Sequence, residues 1–280
     1  MQTVEARPLS RAEFEWFREL IESKTGLYIL DYKVRFLTNR LLKRMKELEL
    51  NSFSDYRDLL QRDNVNGEEL KILLEEIVVF ESWFFRNTRQ FQIFTDVVIK
   101  ALMADKIMNE QRVVFNIFGC SAGQEPYSLA ILLKENLPDA ALSQVRINAI
   151  DISNRLLRKA KEGVYREYEI NGLSPAVLDE YFDRVEKGYR IKHDISRMIN
   201  FFKFNLKDSN WNKFMFSDVI FCRNTLIYFR EKTRKQVMKR LINCLRPGGF
   251  ILLGHSEILS RDEYDNISSI GHNVYRKVNA

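Results

Sequence analysis

Apolar residues recur at helical spacing through the first part of the chain, from residue 9 to about residue 74. The clearest stretch is 32–48, where Val34, Leu37, Leu41, Met45 and Leu48 return every three or four positions and predict one core-facing stripe. Opposite that stripe Lys33, Arg40, Lys43 and Arg44 share about a third of the circumference at ~100° per residue. They form a basic face that is either solvated or a docking surface for an acidic partner, with Glu47 the nearby neutralising residue. After Arg112 the pattern changes to short β-rich runs alternating with amphipathic helices, as in a parallel sheet covered on both faces. Strands are predicted at 113–118, 146–150, 200–204, 218–221, 250–253 and 273–277, and helices at 125–136, 154–162 and 231–245. Tyr181, Phe182, Val185, Tyr189 and Ile191 flank Lys187-Gly188, a hairpin signal that interrupts the alternation. The expected organisation is a helical domain with linker over 1–95 and an α/β domain over 96–280, carrying an inserted antiparallel β-subdomain at about 166–199.

Composition narrows the class. A length of 280 residues with 45% hydrophobic content suits an ordinary globular core and excludes disordered and fibrous classes. No apolar run approaches the ~18 residues that span a bilayer, and the segment around Glu5, Arg7 and Pro8 lacks a signal-peptide core. A soluble cytoplasmic protein, expected to be monomeric, follows. Cys120, Cys222 and Cys244 show no CxxC spacing and His193, His255 and His272 are scattered, so neither a disulfide framework nor a metal site is expected. The net charge of +6 suits acidic protein surfaces, nucleic acid or phospholipid without choosing among them.

The predicted strand 113–118 runs into Gly119-Cys120-Ser121-Ala122-Gly123, and a helix opens at Glu125-Pro126. A strand, a glycine loop and a helix place a nucleotide-like ligand at the strand's carboxyl end, although a lone glycine loop is a weak signal. The next strand ends at Asp151, near the spacing at which an acidic side chain accepts ribose hydroxyls. The loop lacks GxGxxG, and Glu125 is a poor neighbour for phosphate but a good one for a cation. S-adenosylmethionine, with a sulfonium and an ammonium, fits better than a dinucleotide.

At this point the chain resembles the chemotaxis receptor methyltransferases, the CheR family. Its loop reads Asn116-Ile117-Phe118-Gly119-Cys120-Ser121-Ala122-Gly123-Gln124-Glu125-Pro126-Tyr127-Ser128. Four further segments agree in order: Ser82-Trp83-Phe84-Phe85-Arg86 with Phe91; Ala149-Ile150-Asp151-Ile152 with Ala160 and Tyr165; Phe221-Cys222-Arg223-Asn224-Thr225-Leu226-Ile227-Tyr228-Phe229; and Leu245-Arg246-Pro247-Gly248-Gly249 leading to Gly254-His255-Ser256-Glu257. The resemblance implies an all-helical N-terminal domain, a Rossmann-like methyltransferase sheet ending in a reversed hairpin, and the inserted β-subdomain. It further implies that Ser82, Arg86, Glu125, Asp151, Asn205, Leu206, Arg223 and Asn224 line the cofactor pocket with the Gly119 and Gly123 loop. Glu125 would hold the amino-acid end, Asp151 the ribose and Asn205-Leu206 the adenine side, while Arg86 and Tyr228 would lie near the transferred methyl. Two departures stand out: Val78, Phe80 and Ser82 occupy a segment that usually reads T-x-N-x-T, and Gln124 stands where Glu is usual.

The implied reaction is O-methylation of glutamate carboxylates on receptor helices, releasing S-adenosylhomocysteine, with no metal and no nucleic acid involved. A glutamate acceptor with a pKa near ~4.3 is already ionised at neutral pH, so no general base is needed. Tyr228 has an alternative reading as a core aromatic, Arg86 as a structural ion pair, and Glu257 as a structural partner of His255. The competing functions are a nucleic-acid methyltransferase and a non-catalytic cofactor-binding module. The first usually carries an Asn/Asp-Pro-Pro-aromatic motif, where this chain has Cys222-Arg223-Asn224-Thr225.

Overall fold

The computed structural model describes residues 7–62, 67–78, 81–109, 111–259 and 263–278. Two compact units result: residues 1–79 with 228–233, and residues 80–227 with 234–280.

The first unit is helical. Helix α1 (Arg11–Thr25) opens on a capping box in which Ser10 and Glu13 satisfy each other's backbone amides, and it closes on left-handed Gly26. A 3-10 turn (Asp31–Lys33) leads into α2 (Val34–Glu47), followed by α3 (Phe53–Arg62) and α4 (Glu68–Ile77). The predicted stripe is where the core lies: Leu37, Leu41 and Met45 are fully buried, with Val34 and Leu48 packed at its edge. Segment 228–233 completes this unit, since Tyr28 N donates to Tyr228 O at 2.7 Å and Arg230 pairs with Glu22 at 2.9 Å.

The second unit starts with α5 (Thr88–Ile93), which continues through a wider π turn (Phe94–Ile99) into α6 (Lys100–Asp105). Strand β1 (Val113–Phe118) leads to α7 (Gln124–Asn136) and the short α8 (Asp139–Leu142). Then come β2 (Val145–Asp151), α9 (Asn154–Glu162), β3 (Val164–Tyr165), α10 (Pro175–Tyr181), β4 (Phe182–Val185), β5 (Gly188–Ile191), α11 (His193–Ser196) and β6 (Ile199–Lys203). The chain ends with β7 (Ser217–Cys222), α12 (Glu231–Cys244), β8 (Leu245–Leu253), β9 (Ile267–Gly271) and β10 (Val274–Lys277). The seven-stranded sheet has the order β6-β2-β1-β7-β8-β10-β9. Its first five strands are parallel, and β10 enters antiparallel between β8 and β9, the reversed terminal hairpin. Strands β3, β5 and β4 make the separate small antiparallel sheet. Gly188 is required there, because a Cβ would lie 2.2 Å from Tyr165 O.

Two expectations change. The division falls at 79/80 instead of 95/96, because Phe84, Phe91 and Phe94 belong to the same apolar core as Phe115, Ile117 and Phe221 of the sheet. Strand β9 went unread: its Ser268 and Ser269 give it no apolar run, and it is held by pairing with β10 at the sheet's edge. The expected Val78 departure lies at the end of α4, where Val78 N bonds Leu74 O. Phe80 lies outside the described residues.

Candidate functional site

Parallel strands deliver their carboxyl ends to one edge of the sheet, and loops there gather the candidate residues. Beyond β1 the chain turns through Gly119, Ser121 and Gly123, all at positive φ. Both glycines are required by protein contacts: a Cβ on Gly119 would lie 2.0 Å from Thr225 Oγ1, and one on Gly123 would lie 2.9 Å from Tyr165 Oη. Their sequence signal therefore reports how tightly this loop packs on its neighbours, and they shape the site through the backbone.

Asp151 ends β2 and is buried. Its Oδ2 accepts from Ser121 N at 2.8 Å, and its Oδ1 accepts from Ser153 N at 2.9 Å, so the carboxylate ties the glycine loop to the start of α9. Phe204 N donates to Asp151 O at 3.0 Å, which brings the next residues, Asn205 and Leu206, to the same strand ends. Asn205 Oδ1 accepts from Lys207 N at 3.0 Å, and Leu206 is buried.

Glu125 sits in the first turn of α7, where the helix dipole favours an anion. Arg223, one residue past β7, donates from Nη1 to Glu125 Oε1 at 2.5 Å, with both side chains nearly enclosed. Arg223 Nη2 donates to Arg86 O, and its guanidinium lies 5.3 Å from the Phe91 ring centre. Burial pushes the Glu125 carboxyl up from its ordinary range, with Arg223 and then Arg86 opposing that shift.

Arg86 occupies a turn bracketed by left-handed Phe85 and Asn87. Such backbone costs of order 1–3 kcal/mol per residue and persists only where surroundings hold it. Here Phe85 N donates to Ser128 Oγ of α7 at 2.9 Å, Asn87 caps α5, and Phe84 packs edge-on against Tyr165 and Phe182. The Arg86 guanidinium stacks 4.1 Å from the centre of the Trp83 ring and donates to Glu81 O at 3.1 Å. Trp83 is half-exposed and was not singled out from the sequence, where it reads as one more aromatic in a row. Ser82 is half-buried in the same turn, and Asn224, at φ +55, follows Arg223.

Several polar atoms here are buried without a protein partner among the described residues: Ser121 Oγ, Arg223 Nε, and both Nε2 and Oε1 of Gln124. Buried polar groups are ordinarily satisfied, so these orphans, beside the buried Asp151 carboxylate and the nearly enclosed Glu125 carboxylate, fit a polar ligand. Gln124 in place of the usual Glu also leaves Glu125 and Asp151 as the acidic pair next to the loop.

Tyr228 is grouped with the first unit, where Lys33 Nζ lies 5.6 Å from its ring centre. The basic face of α2 is corrected by the structure. Arg44 is buried, giving Glu69 two bonds of 2.9 and 2.5 Å, and Tyr56 Oη adds a third at 2.6 Å. Arg44 also pairs with Glu47. Lys43 bonds Glu76 at 2.8 Å, and Arg40 lies 3.6 Å from the same carboxylate. Arg44 is therefore an interior ion-pair residue and leaves the candidate docking face to Lys33, Arg40 and Lys43.

Residues 12–78 match the family model described as CheR methyltransferase, all-alpha domain, and residues 81–275 match CheR methyltransferase, SAM binding domain. The chain is 33% identical to a chemotaxis protein methyltransferase of Vibrio cholerae, over 94% of this chain and 90% of the relative. It is 31% identical to one of Escherichia coli, over 94% and 90%, and 32% identical to one of Pseudomonas aeruginosa, over 95% and 98%. With the two domain models matched over residues 12–78 and 81–275, the chain belongs to the CheR family of S-adenosylmethionine-dependent methyltransferases.

Proposed function

We propose that the protein transfers the methyl group of S-adenosylmethionine to glutamate side-chain carboxylates of chemotaxis receptors, leaving glutamate methyl esters and S-adenosylhomocysteine. The observation that carries the reading is the gathering of Glu125, Asp151 and Arg223 around one glycine loop, in a chain whose relatives are named chemotaxis protein methyltransferases.

When bound, the cofactor supplies a methyl group activated by a sulfonium. The residues have separable work. Asp151 accepts from backbone amides through both oxygens, at the end of the second strand, and its carboxylate receives the ribose hydroxyls. Glu125 complements an ammonium, Asn205 and Leu206 flank the base, and Ser82, Arg223 and Asn224 complete the pocket around the Gly119–Gly123 backbone. Arg86, with its guanidinium over the Trp83 ring, offers planar donors to one oxygen of the acceptor carboxylate, and the Tyr228 hydroxyl holds the edge of substrate or cofactor. The acceptor is already ionised, so the chemistry asks for alignment and exclusion of water, an effect worth up to ~7–11 kcal/mol, and for no proton transfer. Lys33, Arg40 and Lys43 serve as the docking face for acidic receptor helices. The protein acts as a monomer from the cytoplasm, without metal or nucleic acid. Among the described residues no helix is long and apolar enough to cross a membrane.

The test is transfer of a tritiated methyl group into receptor-containing membranes, with peptide mapping and alkaline hydrolysis of the product. Label on glutamate peptides, released as methanol by base, is the expected result. Base-stable label, or label on nucleic acid only, would overturn the reading.

A further inference from the structure

The loop after β8 carries a carboxylate that the methyl-transfer chemistry leaves without a role. Glu257 is only 4% exposed. Its Oε1 accepts from Thr225 N at 2.9 Å, Leu226 N at 2.6 Å and Ile227 N at 3.3 Å. Its Oε2 accepts from Asn224 N at 2.8 Å and Gly254 N at 2.7 Å. One buried carboxylate thus collects five backbone amides, four of them consecutive. These four run from left-handed Asn224 into the 3-10 turn that starts at Leu226, donors that the turn itself leaves unpaired. A carboxylate accepting backbone N–H groups makes strong charge-assisted bonds.

Both sides of this clasp are fixed to the candidate site. Glu257 N closes its own turn on Gly254 O at 2.9 Å, and Asn273 Nδ2 holds Gly254 O at 2.6 Å. Gln90 Nε2 holds Leu253 O at 2.9 Å from α5, the helix that follows Arg86. Gly254 has no room for a side chain: a Cβ would lie 2.5 Å from Glu257 Oε2 and 2.6 Å from Asn224 N. On the other side Thr225 Oγ1 fills the space where Gly119 lacks a Cβ and donates to Phe118 O at 3.4 Å. Arg223, whose side chain bonds Glu125 and the Arg86 carbonyl, immediately precedes the clasped amides.

We propose that Glu257 is a positioning residue: its carboxylate locks residues 224–227 against the glycine loop and thereby aims Arg223 and Asn224 into the cofactor pocket. It acts through backbone, touching neither cofactor nor acceptor, and the proposal rests on the methyl-transfer reading of that pocket. Replacing the carboxylate leaves several enclosed amides without an acceptor, so the turn relaxes and carries Arg223 away from Glu125. Cofactor affinity and turnover then fall together, whereas recognition of receptor does not.

The test compares Glu257→Gln and Glu257→Asp with wild type. Glu257→Gln keeps the size but can offer only one acceptor oxygen, and its amide group faces donors; Glu257→Asp keeps the charge on a shorter arm. For folded Glu257→Gln, calorimetry with S-adenosylhomocysteine should show affinity reduced about tenfold, and kcat should fall about tenfold with the receptor KM within about twofold. Glu257→Asp should recover part of both losses. Wild-type affinity and turnover in Glu257→Gln, or a change confined to receptor KM, would overturn the proposal. Should neither variant fold, hydrogen exchange on the wild type decides. Amides 224–227 protected like those of β7 before any ligand is added support a built clasp, and amides that become protected only with S-adenosylhomocysteine overturn it. The affinity arm needs no receptor. A wild type that binds S-adenosylhomocysteine but methylates no receptor would refute the proposed substrate and leave the Glu257 result readable.

Discussion

Asp151 ties the glycine loop to the start of α9 and is proposed to hold the ribose, and this governs how its role can be measured. Removing the side chain strands Ser121 N and Ser153 N, and an unsatisfied buried group costs about 1–3 kcal/mol. Asp151→Ala should therefore lower the melting temperature as well as weaken S-adenosylhomocysteine, and its binding loss would mix two causes. Asp151→Asn keeps an oxygen for one amide and removes the charge; calorimetry should show weakened binding, by roughly 1.5–3 kcal/mol for a charge-assisted bond. Unchanged affinity in that variant would take Asp151 away from the ribose. Glu125 makes a pH-dependent prediction. Its carboxyl is pushed above the ordinary range by burial, so as pH falls it picks up a proton earlier than an exposed glutamate does, and the protonated form cannot complement an ammonium. As pH is lowered, affinity for S-adenosylhomocysteine should therefore begin to decline at a higher pH than the ~4.3 of an unperturbed glutamate would set. Glu125→Gln should bind more weakly and lose that slope; a slope that persists in Glu125→Gln assigns the titration elsewhere.

Helix α2 shows where sequence reading succeeds and where it stops. A 3.6-residue period is a property of one helix, so Leu37, Leu41 and Met45 were legible as core. The partners of the opposite face come from α4: Glu69 for Arg44, Glu76 for Lys43 and Arg40. No local pattern in 32–48 carries that information, and Arg44 passed for a surface cation. The same limit applied to Glu257, read as the partner of His255 although it serves backbone amides some 30 residues earlier in the chain. It also applied to Gly119 and Gly123, whose necessity comes from Thr225 and Tyr165. The strand ends at Asp151 and the start of α7 at Gln124-Glu125 were legible because strand, glycine loop and helix are contiguous. For Arg44 the energetics are severe. Losing one member of a buried pair leaves the other charged and unpaired, at ~3–5 kcal/mol, and Tyr56 loses the group that orients its acceptor. Arg44→Ala should lower the thermal stability of the first unit by several degrees or unfold it, whereas Arg40→Gln should shift it little. Equal melting curves for the two variants would mean that the Arg44–Glu69 bonds contribute nothing.

At the scale of the molecule the question is how a protein with a net charge of +6 finds its substrate. Methylation of a receptor begins with encounter, and for the proposed acidic docking helix a basic patch raises the association rate through charges that are exposed and unscreened. Of the three remaining candidates, Lys33 lies beside the Tyr228 ring, so altering it would disturb a proposed catalytic residue. Arg40 and Lys43 share Glu76, which reduces their net field without burying them; their side chains remain 41% and 50% exposed. The cleaner probe is the double neutralisation Arg40→Gln with Lys43→Gln, because reversal to glutamate would add repulsion from Glu76 and confuse docking with stability. The expected result is a several-fold lower rate on receptor membranes at low ionic strength, with S-adenosylhomocysteine affinity unchanged because no residue of the glycine-loop site is touched. Salt supplies the second axis. The Debye length shrinks from about 30 Å at 0.01 M to about 8 Å at 0.15 M, so wild type should slow as salt is added and approach the double variant. If instead the two proteins methylate receptor at the same rate at low salt, Arg40 and Lys43 are stabilising partners of Glu76 alone, and the acidic receptor helix docks elsewhere.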